Sequence, residues 1–167
     1  NAVLISDKGE EVASVKKDVA SGLSVIIPVK DPRPWSPDDP YLYDLRLELT
    51  EGDKVIDEVK SYAGLRKFHI EGNKFFLNNK PIFLRFVLDQ GFYPDGIWTA
   101  PTDEALRKDI ELALDGGFNG ARLHDKIFEE RFHYWADKLG YLTWGEYLDY
   151  GQPFDWGKCM VIRNQQR

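Results

Sequence analysis

"APTDEALRKDIELALDGGFNGARLH", residues 100–124, changes the rhythm of the chain. Leu106, Ile110, Ala113 and Leu114 fall on one helical face, Thr102 can cap the start, and Asp103 and Glu104 suit the positive end of the helix dipole. Gly116 and Gly117 end the helix, and "FNGARLH" reads as a strand. Upstream, residues 82–88 form an apolar strand. Downstream, Phe128, Phe132, Trp135, Ala136 and Leu139 mark a second amphipathic helix stopping at Gly140, and "YLTWGE" makes a third strand. Strand, helix, strand, helix, strand at this spacing predicts right-handed βαβ units and a parallel sheet. An aromatic stripe at helical spacing is core, so Phe128, Phe132 and Trp135 receive no functional role.

Before this region the pattern is shorter. "AVLIS", "EVASVKK", "GLSVIIPV", "LYDLRLELT" and "KVIDEVKSYA" read as five strands of an antiparallel sandwich, separated by Gly, Asp and Pro. An immunoglobulin-like sandwich has about seven strands, so residues 1–70 are expected to be an incomplete one. "DPRPWSPDDP" carries four of the nine prolines and is a stiff connection. "KFFLNNKPIFL" is a β-hairpin, since Asn78 and Asn79 tolerate the positive φ that a tight turn requires.

The totals exclude several function classes. The net charge is −6 with acids spread along 167 residues, which gives no phosphate-tracking face and argues against nucleic acid. No stretch approaches the ~20 apolar residues of a membrane span, and the N-terminal residues lack a signal layout. Cys159 is the single cysteine, so no internal disulfide can form; with Met160 it reads as apolar filling. His69 and His133 read as structural or surface residues. The compartment is not legible.

Polar residues gather at the C-terminal ends of the parallel strands, in "LDQ", "LHDK" and "WGE", the end at which parallel α/β folds build sites. Alternation predicts one greasy face, with Leu84, Phe86, Leu88, Ala121 and Leu123, and one polar face, with Arg85, Asp89, Arg122 and His124. In the third strand either parity can be argued, with Trp144 and Glu146 sharing a face. Arginines within a parallel strand require carboxylate partners or ligand. Against this stands a plain reading, in which Arg85 and Asp89 form a buried ion pair and Glu146 is a solvated loop acid. Asp89 and Glu146 could be paired carboxylates, but with 28 acids in the chain such a pair arises by chance. No metal is expected at His124, Asp125 and Glu146, because no second histidine sits at ligand spacing. No cofactor is expected.

"WSPDDPYLYDLRLEL", "SYAGLRKFHI", "FFLNNKPIFLR", "LDQGFYPDG", "APTDEALRKDIELALDGGFNGARLH" and "RFHYWADKLGYLTWGE" together resemble glycoside hydrolase family 2, in order and with family-like spacing. The resemblance implies that residues 1–70 belong to an immunoglobulin-like domain. Residues 71–167 would then be the N-terminal part of a (β/α)8 TIM barrel, with three parallel strands and two to three helices. It further implies a retaining hydrolase of non-reducing β-linked sugars, β-galactosidase-like first and β-glucuronidase- or β-mannosidase-like next. Arg85, Asp89, Gln90, Arg122, His124 and Glu146 match site-lining positions; Tyr93 or Trp98 would border the entrance, although Trp98 also fits as loop packing.

Two departures qualify the match. Phe86 follows Arg85 where the family usually has glycine, and Asp125 stands where an amide is common. Both catalytic glutamates of the family fall beyond "VIRNQQR". The resemblance therefore implies that this chain alone is inactive, and that a barrel remainder or self-association covers its open edges. A reading from another class is a non-catalytic carbohydrate-binding or assembly fragment.

Overall fold

The computed structural model describes residues 1–20, 22 and 24–146, and the backbone of 160–161. Cys159 and the side chain of Met160 lie outside the described residues. Two compact units emerge, one of residues 1–35 and 41–65, the other of residues 36–40 and 66–167.

In the first unit, β1 (Ala2–Ile5), β2 (Glu11–Val15), β3 (Tyr43–Glu51) and β4 (Lys54–Ala63) form an antiparallel sheet of order β2-β1-β3-β4. Ala2 faces Leu47 and Leu4 faces Leu45 across β1 and β3, so alternating apolar residues meet as cross-strand pairs. The proline-rich connection is not a ladder strand. It is fixed by the fully buried Trp35, whose amide donates to the Leu65 carbonyl, and by the Tyr43 hydroxyl, which accepts from the Arg33 amide. "GLSVIIPV" departs from expectation: its described residues form no strand, and Ile26 is 81% exposed. β-Branched composition supplies propensity, but without a partnered edge it does not make a strand.

In the second unit, β5 (Phe68–Glu71), β6 (Lys74–Leu77) and β7 (Lys80–Ile82) form an antiparallel meander. Asn78 and Asn79 close its second hairpin with φ of 51° and 63°, as their side chains permit. β8 (Phe86–Asp89), β9 (Gly120–Leu123) and β10 (Leu142–Glu146) are parallel neighbours, and β11 (Met160–Val161) runs antiparallel to β10. The expected strand over 82–88 is interrupted, and β8 starts only at Phe86. The reason is Asn119, whose side-chain oxygen accepts from the Arg85 amide while its side-chain nitrogen donates to the Phe83 carbonyl. A side chain thus takes the place of a ladder partner.

Helix α1 (Asp103–Asp115) begins as its caps dictate, with Thr102 Oγ1 accepting from the Ala105 amide. Helix α2 (Glu130–Leu139) starts two residues after Phe128 and ends at Gly140 with φ 79°. Phe128 nonetheless joins the core with Leu106, Ile110, Ala121, Leu123, Phe132, Ala136 and Tyr141. His133 is buried beside Thr143, and His69 contacts Glu71, so both are structural. No helix among the described residues is long and apolar enough to cross a membrane.

Two contacts hold this unit at its tightest points. Arg66 Nη2 lies 2.9 Å from Asp137 Oδ1 with both side chains 5% exposed. A Cβ on Gly120 would collide with the Phe86 ring and the Leu142 carbonyl, so β9 requires glycine where three strands meet. Asp137→Ala is expected to cost about 3–5 kcal/mol, because a guanidinium loses its buried carboxylate. Gly120→Ala is expected to cost about 1–3 kcal/mol through overpacking. Denaturant unfolding of each variant checks both, and changes below ~0.5 kcal/mol would contradict them.

Candidate functional site

The register of the parallel strands decides which side chains share a face. Leu88 stands opposite Arg122, and Arg122 opposite Trp144; one step back, Val87, Ala121 and Thr143 are aligned. Val87, Ala121 and Leu123 pack on the core containing α1 and α2 residues, so that side is the helix face. Gln90, Arg122, His124, Trp144 and Glu146 therefore belong to the opposite, open face. This settles the parity of the third strand and corrects that of the first: Asp89 aligns with Leu123 on the helix face, and Leu88, 52% exposed, is on the open one. Apolar residues occupy both parities of "LRFVLD", so alternation alone could not assign its faces.

Arg85 is not among the gathered residues. Its Nε donates to the Gly117 carbonyl just past α1, at the N-terminal end of the strands. It forms neither a pair with Asp89 nor a neighbour of Arg122.

At the other end a cluster does assemble. Arg122 Nη2 lies 3.0 Å from each Glu146 carboxylate oxygen, and the Gln90 amide nitrogen is 3.1 Å from His124 Nδ1. Asp125 Oδ2 is 3.4 Å from the same ring nitrogen, a spacing that becomes an ion pair when the ring is protonated. The His124 amide donates to the Asp89 carbonyl at 2.7 Å, tying the ends of β8 and β9 together. The Glu146 and Asp125 side chains are 13% and 18% exposed, while Arg122 keeps 37% of its surface in solvent. Donors from Arg122 and Gln90 thus alternate with acceptors from Glu146 and Asp125, an array suited to neighbouring hydroxyls.

Ligand atoms of His124, Asp125 and Glu146 lie within 4.8 Å of one another, the one such trio among the described residues. One imidazole and two carboxylates could approach a divalent ion, but Glu146 is already bridged by the Arg122 guanidinium, which would repel a cation there. The donor set fits a hydroxyl-rich ligand better than a metal.

Asp89 and Tyr93 point instead into a cavity of about 460 Å³ between β8 and α1, bordered by Asp109, Ile110, Phe118 and Tyr141. Asp89 Oδ1 accepts from the Gly91 amide at 2.8 Å; burial raises its carboxyl, against the lowering effects of that hydrogen bond and of Lys126. The Tyr93 hydroxyl donates to Asp109 Oδ2 at 3.5 Å. Burial, then the charge of Asp89, push Asp109 up to about 6, and burial raises Tyr93 and Tyr141 as well. Sequence reasoning missed Asp109. The signal was its place three residues after Leu106 and four before Ala113, a charged residue on an apolar stripe.

Native Asp109 holds a proton that the unfolded chain releases, so stability should fall as pH rises from 3.8 to about 6. Asp109→Asn should flatten that decline while leaving the titration of Asp89 in place. Denaturant midpoints measured across this window check it; an unchanged slope in the variant would contradict it.

Comparisons with known proteins agree with this architecture of β-sheets and two helices. The family model described as glycosyl hydrolases family 2 matches residues 2–66. A Formosa agariphila protein, named provisionally as a beta-glucuronidase, is 31% identical over 165 residues, 95% of this chain and 16% of its own length. A beta-galactosidase of Staphylococcus xylosus is 30% identical over 144 residues, 86% of this chain and 13% of its own. A solved beta-glucuronidase of Ruminococcus gnavus, in complex with N1-substituted uronic isofagomine, matches with TM-score 0.80 and 26% identity over 91% of this chain and 26% of that one. The chain thus spans a small part of each relative. It belongs to glycosyl hydrolases family 2.

Proposed function

We propose that this chain is part of a retaining glycoside hydrolase that cleaves non-reducing β-linked sugars, with residues 1–70 an immunoglobulin-like segment and residues 71–167 the beginning of a (β/α)8 barrel. The observation that carries the reading is the coupling of Arg122 to Glu146 and of Gln90 to His124 at the ends of three adjacent parallel strands. That is where parallel barrels bind substrate. In this reading Arg122, Gln90, His124 and Glu146 hold the hydroxyls of the sugar at the non-reducing end. Asp89 supports them from behind, through its carbonyl to the His124 amide, and Tyr93 anchors the adjoining loop. Arg85 supports the base of the strand. Relatives named as β-galactosidase and β-glucuronidase both match, so the ring is a β-linked hexose or hexuronic acid.

Retention requires two carboxyls about 5 Å apart, one protonating the leaving oxygen and one forming the glycosyl-enzyme. Asp125 and Glu146 approach within 4.8 Å, but each is already engaged, by His124 and Arg122 respectively. We assign them to positioning. The acid/base and nucleophile belong to sequence that this chain does not contain, and the barrel remainder is its expected partner.

Aryl β-glycosides offered to this chain alone and to the full-length polypeptide that carries it test the proposal. Turnover is expected only from the latter, and Arg122→Met should lower its kcat/KM roughly 10- to 100-fold through loss of a charged hydrogen bond. Turnover by the isolated chain that disappears in Glu146→Gln would overturn the positioning role. Absence of turnover in both would favour a non-catalytic binding or assembly role.

A further inference from the structure

The loop between β8 and α1 is more closely built than its composition suggests. Tyr93 and Ile97 bridge each other through two backbone hydrogen bonds of 2.8 and 2.9 Å, and the turn between them forces Ile97 to φ 56°, a conformation β-branched residues avoid. The bridge sorts the aromatic residues. Tyr93 packs toward the core and reaches Asp109, whereas Phe92 and Trp98 are left 59% and 51% exposed. Their rings stack on each other, with centroids 5.8 Å apart and planes 29° from parallel.

A buried cation fixes this arrangement. The Lys126 side chain is 13% exposed, and its Nζ donates to the Trp98 carbonyl at 2.7 Å and to the Gly91 carbonyl at 3.3 Å, with Glu129 Oε1 at 3.5 Å. A Cβ on Gly91 would lie 2.9 Å from that ammonium, so glycine is what lets the latch reach the backbone. Phe92 is two residues beyond Gln90 and Lys126 two beyond His124, the pair whose side chains meet in the polar cluster. The exposed rings therefore stand beside that cluster, at the same end of the sheet. Two large apolar rings kept in water by a strained turn and a buried lysine are a preorganised contact surface, and aromatic faces pack against the C–H face of a pyranose.

We propose that Phe92 and Trp98 form a platform for a second pyranose, on the leaving-group side of the scissile bond, and that Lys126 is the positioning residue that sets it. The inference rests on the glycosidase reading above and deepens it: the substrate is an oligosaccharide, with preference arising from the ring after the cleaved bond. The more enclosed polar cluster takes the terminal sugar, and the half-exposed rings take the next one.

The test compares the full-length polypeptide with its Phe92→Ala, Trp98→Ala, Trp98→Phe and Lys126→Met variants on a β-linked disaccharide and on the methyl β-glycoside of the same sugar. The ratio of kcat/KM between disaccharide and methyl glycoside should fall about tenfold in Phe92→Ala, Trp98→Ala and Lys126→Met, and survive in Trp98→Phe, which keeps an aromatic face. An unchanged ratio in the alanine variants, or equal losses on both substrates, would overturn the platform while leaving the glycosidase reading intact. If the unmodified protein cleaves neither substrate, the glycosidase reading falls and the platform with it.

Discussion

The register of three parallel strands governs the second unit. With Leu88 beside Arg122 and Arg122 beside Trp144, every side chain of β8, β9 and β10 is assigned to the helix face or the open face. A one-residue slip would exchange the two sets, driving Arg122 into the apolar core and Ala121 and Leu123 into solvent. Burial of Ala121 and Leu123 among Leu106, Ile110 and Phe132 makes that slip prohibitive. Gly120 lets Phe86 and the β10 backbone close over β9, and Asn119 ties the start of β8 to the start of β9. Polar placement at the far end follows from apolar packing in the middle.

Asp89 shows how the two faces cooperate. Its carbonyl receives the His124 amide and holds the ends of β8 and β9 in step, while its carboxylate turns away toward Asp109 and Tyr141. The acidic, half-buried hollow behind the strand and the mixed-charge cluster in front of it share this residue's backbone. The cluster itself is internally compensated: Arg122 with Glu146, and His124 with Gln90 and Asp125. Such pairing keeps charged groups tolerable at a sheet end and fixes their orientations before any ligand arrives.

Much of the framework was legible in the residues. Thr102, Asp103 and Gly116 bounded α1, the Asn78-Asn79 pair marked a turn, and the strand-helix rhythm gave the parallel sheet, because each signal is local. Arg122, His124 and Glu146 were also correctly grouped, since "GARLH" has small or apolar residues at alternate positions and admits a single parity. "LRFVLD" has apolar residues in both parities, so only the partner strand could assign Asp89 to the helix face. Arg85 was misplaced for the same reason and because Asn119, 34 residues away, ends the ladder before it. The segment "GLSVIIPV" had strand composition without a strand's neighbour. Asp109 was hidden within a helix whose other signals were all consistent.

The most direct measurement is a crystal structure of the full-length polypeptide with a non-hydrolysable β-linked sugar bound. The account predicts the terminal ring in hydrogen-bond contact with Gln90, Arg122, His124 and Glu146 on the open face. A sugar seated in the hollow between β8 and α1, against Asp89 and Asp109 and clear of Arg122, would contradict it.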